Sequence, residues 1–180
     1  MHFKLVIPLL LFMTFLIMSC DNDNSYRNNT DKKHGKDQQE KESLIKVNRY
    51  LVNSENTEID NYINRHKLEV TKTGSGLKYQ IVKHGDGEKA VTGKIVTIEY
   101  IVKLITGDVI YSSKENGPLS FKVGHGGVET GLEEAILQMR MGDEAIIIIP
   151  SHLGYGLLGD GNKIPQRSTI IYEIEFTNIN

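Results

Sequence analysis

Glycine and apolar side chains are concentrated in one stretch of this chain. Of the 17 glycines, all but Gly35 fall in residues 67–180. The same stretch carries apolar residues at regular intervals, from Leu68 to Ile179. Tight turns and a hydrophobic core must therefore be built from the same residues. That pattern suits one globular domain of short strands joined by turns. The formal charge of −2, from 21 basic and 23 acidic side chains, lacks the basic surplus of a nucleic-acid binder, and no nucleic-acid partner is expected. A single Cys excludes an intrachain disulfide framework and any zinc site built on several Cys ligands.

Residues 68–180 alternate between strand patterns and Gly-rich turns. Val96, Ile98, Tyr100, Val102 and Leu104 point one way, with Thr97, Glu99 and Lys103 on the other side. Tyr172, Ile174 and Phe176 alternate with Glu173, Glu175 and Thr177. A period of two marks half-buried strands. Ala145 to Ile149 is continuously apolar and should be a central strand covered on both faces. Thr106-Gly107-Asp108 fits the turn of a hairpin. One helix of about ten residues is expected near Thr130, with a Thr130/Glu133 capping box, a Leu132-Ala135-Ile136-Met139 stripe and Gly142 at its end. The fold class is therefore α+β, an antiparallel sheet against one short helix.

Upstream the composition changes three times. Leu5 to Met18 is an apolar run behind Lys4, and it ends Ser19-Cys20. It has the form of a secretory leader and is too short for a mature bilayer span. Ser19 before the only Cys resembles a bacterial lipobox, so residues 1–19 read as a lipoprotein signal peptide and Cys20 as the acylated residue. The expected location is a bacterial membrane, lipid-anchored, facing the periplasm or cell surface. Residues 20–43 are almost wholly polar and read as a flexible tether. Residues 44–67 carry two helical stripes, Leu44/Val47/Leu51 and Ile59/Tyr62/Ile63/His66, divided at Asn53-Ser54. They read as two short helices packing on the domain; the alternative is a dimer or partner-binding arm.

Several motifs carry no chemistry. Gly154-x-Gly156-x-x-Gly159 matches a phosphate-loop pattern but lacks the strand–helix context that pattern needs. The six His show no metal-ligand spacing, and Asp160-Gly161-Asn162 is too short for a calcium loop. Neither a metal nor a cofactor is expected. Tyr100, Tyr111, Tyr155 and Tyr172 stand out instead, on strands and loops that can converge on one concave face.

The order of motifs is recognisable. His84-Gly85-Asp86-Gly87, Val96-Thr97-Ile98-Glu99-Tyr100 and Phe121-Lys122-Val123-Gly124 come first. Val128-Glu129-Thr130-Gly131-Leu132-Glu133-Glu134-Ala135, Met141-Gly142-Asp143, Pro150 to Gly156 and Ile164-Pro165 follow. Residues 77–178 thereby resemble the FKBP-type peptidyl-prolyl cis-trans isomerases, the macrolide-binding immunophilins. The resemblance implies a sheet wrapped around one helix, with a proline-binding pocket between them. By position it implies a lining of Tyr100, Phe121, Val128, Leu132, Tyr155, Ile164 and Tyr172, with the Tyr155 hydroxyl bonding a substrate carbonyl. The chain departs from the family at four places. Ile110-Tyr111 stands where Phe-Asp is usual, with the Tyr111 hydroxyl in place of the carboxylate. Leu119 replaces a rim aromatic, Glu129 an apolar residue and Leu132 a floor Trp. The implied activity is isomerisation of X-Pro segments in unfolded or partly folded envelope and secreted proteins. The alternative is a catalytically weak chaperone or peptide-binding module of an envelope assembly, such as one associated with gliding.

Overall fold

The computed structural model describes residues 24–180, with side-chain surroundings from residue 38 onward. The leader and Cys20 lie outside the described residues. Residues 51–180 form one compact unit, and a second unit ends at Tyr50.

The first element is helix α1, Asn24–His66. It differs from the sequence expectation in extent and in continuity, and Leu44 and Val47 of the first stripe, expected to pack, are exposed. Residues 24–43, expected as a coil tether, are helical. Lys, Gln and Glu are fair helix formers, and Glu42 stands four residues before Lys46, a favourable spacing. The expected break at Asn53-Ser54 is also absent. Leu51, Glu55 and Ile59 repeat at four-residue intervals, so the two apolar stripes share one helix face across the join. Continuing a helix costs less than starting a second one, and the weak cap signal loses. The Thr57 hydroxyl donates back to the Asn53 carbonyl at 2.9 Å, as a mid-helix residue does.

Seven strands follow: β1 Thr71–Lys72, β2 Lys78–Lys83, β3 Ile95–Leu104, β4 Val109–Ser112, β5 Leu119–Lys122, β6 Glu144–Ile149 and β7 Ile170–Ile179. They form one sheet in the order β1-β2-β6-β7-β3-β4, with β5 also on β3. Neighbours are antiparallel, and Tyr172 stands opposite both Val102 and Ile147. One face of the sheet carries Ile98, Val102, Ile147, Ile149, Ile174 and Phe176, which pack with Leu132, Ala135, Ile136 and Met139. Ile148 and Ile171 point to the other face and bury against Ile59 and Tyr62 of α1. The apolar run of β6 is therefore covered on both sides, because successive side chains of a strand point to opposite faces.

Under α1 the Lys78 side chain is almost fully buried, and its Nζ has no hydrogen-bond partner. Burial pushes its pKa below the usual lysine value, while Asp60 and Glu55 pull the other way. Glu55 is also a clamp. Its carboxylate accepts the Ser151 N–H at 2.6 Å, the Ser151 hydroxyl at 3.0 Å and the Thr169 hydroxyl at 2.8 Å. One α1 residue thus ties down both ends of the β6–β7 loop.

Two short helices complete the fold, α2 Ser113–Asn116 and α3 Thr130–Ile136. Helix α3 is shorter than the ten residues expected, and Thr130 is not its cap. Glu129 is the N-cap, and it makes no side-chain cap bond. The Glu133 carboxylate accepts the Gly126 N–H instead, holding the preceding Gly turn. Gly142 does have a positive φ of 93°, but in the turn that enters β6 rather than at the end of α3. That turn packs on the Gly85 loop so closely that a Cβ on Gly85 would stand 2.3 Å from the Met141 carbonyl. The buried Asp143 carboxylate joins the two, accepting the N–H groups of Gly85 and Arg140.

Candidate active site

A cavity of about 440 Å³ opens between the segment leading into α3, the sheet and the β6–β7 loop. That size is typical of a small-ligand or peptide site. The sheet contributes Tyr100 and Val102 from β3, Tyr111 from β4, Leu119 from β5 and Tyr172 from β7. The segment before α3 contributes Gly127, Val128 and Glu129, and the β6–β7 loop adds Gly154 and Tyr155.

Each wall has a local cause. Tyr100 is fixed by Ser113, whose Oγ accepts the Tyr100 N–H at 3.1 Å and donates to the Tyr100 carbonyl at 3.3 Å. Its ring lies 6.2 Å from that of Tyr172, tilted by 48°, an ordinary aromatic pair geometry. Tyr172 is buried, and its hydroxyl donates to Glu129 Oε1 at 2.9 Å. Tyr155 is placed by the 3-10 turn Ser151–Leu153, which Glu55 holds from below.

The residues expected at the site divide into two groups. Tyr100, Tyr111, Leu119, Val128, Glu129, Tyr155 and Tyr172 line the cavity. Ile110, Phe121, Leu132 and Ile164 are buried in the main core and stand outside the lining. They support the walls from within. Val102, Gly127 and Gly154 line the cavity without having been expected. Val102 carried a signal, because it shares the β3 face with Tyr100.

Asp160 is the residue sequence reasoning missed. The Tyr111 hydroxyl, expected to replace the missing carboxylate, is spent: it donates to Asp160 Oδ2 at 2.5 Å. Asp160 Oδ1 accepts the N–H groups of Asn162 at 2.9 Å and Ile164 at 2.7 Å. The turn is closed by Gly159, where φ is 71° and a Cβ would stand 2.2 Å from the Ile164 carbonyl. A carboxylate thus stands beside β4 after all, but it arrives from the β6–β7 loop, 49 residues away in sequence. Lys163 completes the corner. Its Nζ lies 5.2 Å from the Tyr111 ring centroid and donates to the Ile110 carbonyl at 3.0 Å.

Electrostatics follow from burial and these carboxylates. Burial raises the pKa of Tyr172 and Tyr155 well above the usual tyrosine value, and the negative Glu129 adds to it. Both hydroxyls stay protonated and can donate. At Asp160 burial works against the charged form, but the Tyr111 hydroxyl and the loop N–H groups outweigh it and hold the pKa below the usual carboxylate value. A lowered carboxylate pKa stabilises the fold above the unfolded value of about 4, and that stabilisation is lost as pH falls through the folded value. The Tyr111–Asp160 clasp is therefore expected to hold from neutral pH to about pH 4 and to open below it. Amide shifts of Asn162 and Ile164 followed by NMR in acid would check this; shifts that move above pH 5 would contradict it.

Comparison with known proteins places this geometry. The model of the family "FKBP-type peptidyl-prolyl cis-trans isomerase" matches residues 86–177, just over half of the chain. The chain is 38% identical over 117 residues to the probable FKBP-type peptidyl-prolyl cis-trans isomerase FkpA of Neisseria meningitidis. That match takes in 64% of the chain but only 42% of the Neisseria protein's length. It is 35% identical over 101 residues to FK506-binding protein 1 of Dictyostelium discoideum, covering 56% of the chain and 94% of that protein. Among solved structures, AtFKBP13 superposes with a TM-score of 0.60 at 33% identity, over 63% of this chain and all of that one.

Proposed function

Because the chain belongs to the FKBP-type peptidyl-prolyl cis-trans isomerase family, we propose that its tyrosine-walled cavity binds a proline ring and lowers the barrier to rotation about the preceding amide. The observation that carries this reading is the convergence of Tyr100, Val128, Tyr155 and Tyr172 on one cavity of peptide-binding size.

Resonance gives the X-Pro bond a barrier of about 18–20 kcal/mol, and uncatalysed exchange takes tens to hundreds of seconds. The planar amide is dipolar and water stabilises it. In the twisted transition state conjugation is lost, the nitrogen turns pyramidal and the dipole weakens. A cavity that strips water from the amide opposes the planar form more than the twisted one, which is binding differential in the direction catalysis needs. Val102, Val128 and Leu119 supply the dry wall, and Tyr155 offers a hydroxyl to the amide carbonyl. The step uses no nucleophile and no proton transfer.

Cys20 would carry the lipid that holds the chain to a bacterial membrane, and the clients would be proline-containing segments of envelope or secreted proteins still folding. The leader-like run before Ser19-Cys20 supports this part of the reading. A second reading, a peptide-binding module with slow turnover, is favoured by one observation. The Glu129 carboxylate lies near the Tyr155 hydroxyl and helps to raise its pKa, so a substrate carbonyl would share that hydroxyl with it.

The test is NMR exchange on X-Pro peptides with the full-length chain. Exchange should accelerate, and Tyr155→Phe should lower kcat/KM by about tenfold, the worth of one hydrogen bond at about 1.4 kcal/mol. No acceleration for any X from a folded chain would leave the binding-module reading in its place.

A further inference from the structure

Glu129 does not belong in a purely apolar proline pocket. It lines the cavity, and the buried Tyr172 hydroxyl donates to it there at 2.9 Å. Without that acceptor the hydroxyl would be a buried donor with no partner, a costly arrangement. The two residues make one polar unit facing the cavity. Among the described residues no Lys or Arg lies within ion-pair distance of Glu129 or of Asp160. The carboxylate at the cavity therefore has hydroxyl donors but no direct ion pair.

The remaining walls suit a cation. Tyr100, Tyr111, Tyr155 and Tyr172 all face the cavity, and the ring face of tyrosine attracts an ammonium or guanidinium group. The chain already uses one of these rings in that way, with Lys163 Nζ 5.2 Å from the centroid of Tyr111. A carboxylate among tyrosine rings is the chemistry of a cation cage.

We propose that this cavity selects proline segments in which a lysine or arginine directly flanks the proline, and that Glu129 is the residue that sets the preference. The proposal rests on the reading of the cavity as a proline-binding site and names its substrate class. The proline ring would occupy the apolar wall of Val102, Val128 and Leu119, and the flanking cation would lie against Glu129 and the tyrosine faces. A flanking acidic residue would meet the same carboxylate and be rejected.

The experiment uses the full-length chain and two peptide sets of otherwise identical sequence. One set places Lys, Leu or Glu immediately before the proline, and the other places them immediately after. Exchange acceleration is read by NMR, and Kd for each peptide is read from chemical-shift titration. At 50 mM salt the Lys peptide should exceed the Glu peptide by about tenfold or more in at least one set. The ratio should shrink at 0.5 M salt and fall to threefold or less in Glu129→Gln. That variant keeps an acceptor for Tyr172, so the cavity wall is retained. Lys and Glu peptides within threefold of each other in both sets would overturn the proposal, as would a ratio unchanged in Glu129→Gln. The Kd ratios decide the charge preference even where no exchange is accelerated; loss of turnover alone would count against the isomerase reading and not against this one.

Discussion

Glu55→Ala is expected to lower the stability of the chain by about 2–3 kcal/mol and to loosen the loop that carries Tyr155. Three hydrogen bonds end on this carboxylate, from the Ser151 N–H, the Ser151 hydroxyl and the Thr169 hydroxyl. Ser151 and Thr169 are both buried. A hydrogen bond to a charged acceptor contributes about 1.5–3 kcal/mol, and a buried donor left unpaired costs about 1–3 kcal/mol. The three are not additive, because a cleft beside Glu55 and Thr169 can admit water to the orphaned groups. Glu55→Gln, which keeps one acceptor oxygen, should lose about half as much. Urea midpoints give the stability change, and hydrogen exchange at the Ser151 and Tyr155 amides reports the loop. A loss under about 0.5 kcal/mol with unchanged exchange would mean that α1 does not hold the loop.

Leu132→Ala is expected to cost about 3 kcal/mol and to weaken peptide binding together with stability. Leu132 is fully buried on α3 within the main core. Leu-to-Ala changes at such sites cost about 2–5 kcal/mol, from lost transfer energy plus the cavity left behind. Helix α3 has only seven residues, too short to persist without its packing. Val128 and Glu129 precede it and line the site, so a shift of α3 moves the site wall. The cost is a large share of a typical 5–15 kcal/mol total. Calorimetry and peptide titration on the same sample would check both effects. A stable variant with unchanged Kd would show that the core tolerates the void without moving α3.

The strands were legible where burial repeats locally. β3 and β7 alternate with a period of two, and β6 is continuously apolar, so their faces and the central position of β6 follow from side-chain direction alone. The tyrosines of the site were legible for the same reason, since Tyr100 and Tyr172 sit on inward faces of those strands. Helix boundaries were not. At Thr130 and at Asn53-Ser54 the cap signals are real, but each is worth about 1 kcal/mol. Helix continuity at one place and a competing turn bond at the other outweighed them.

What the chain determined by itself is the α+β class, the inward tyrosines and an apolar run covered on both faces, because those depend on neighbours within a few residues. What only the tertiary structure decided are the contacts between distant segments: Glu55 with Thr169, 114 residues apart, Tyr111 with Asp160, and Tyr172 with Glu129. Each is a polar pair whose partners carry no local periodicity. Their energy arises only after the sheet has brought the loops together, so no window of sequence contains the signal.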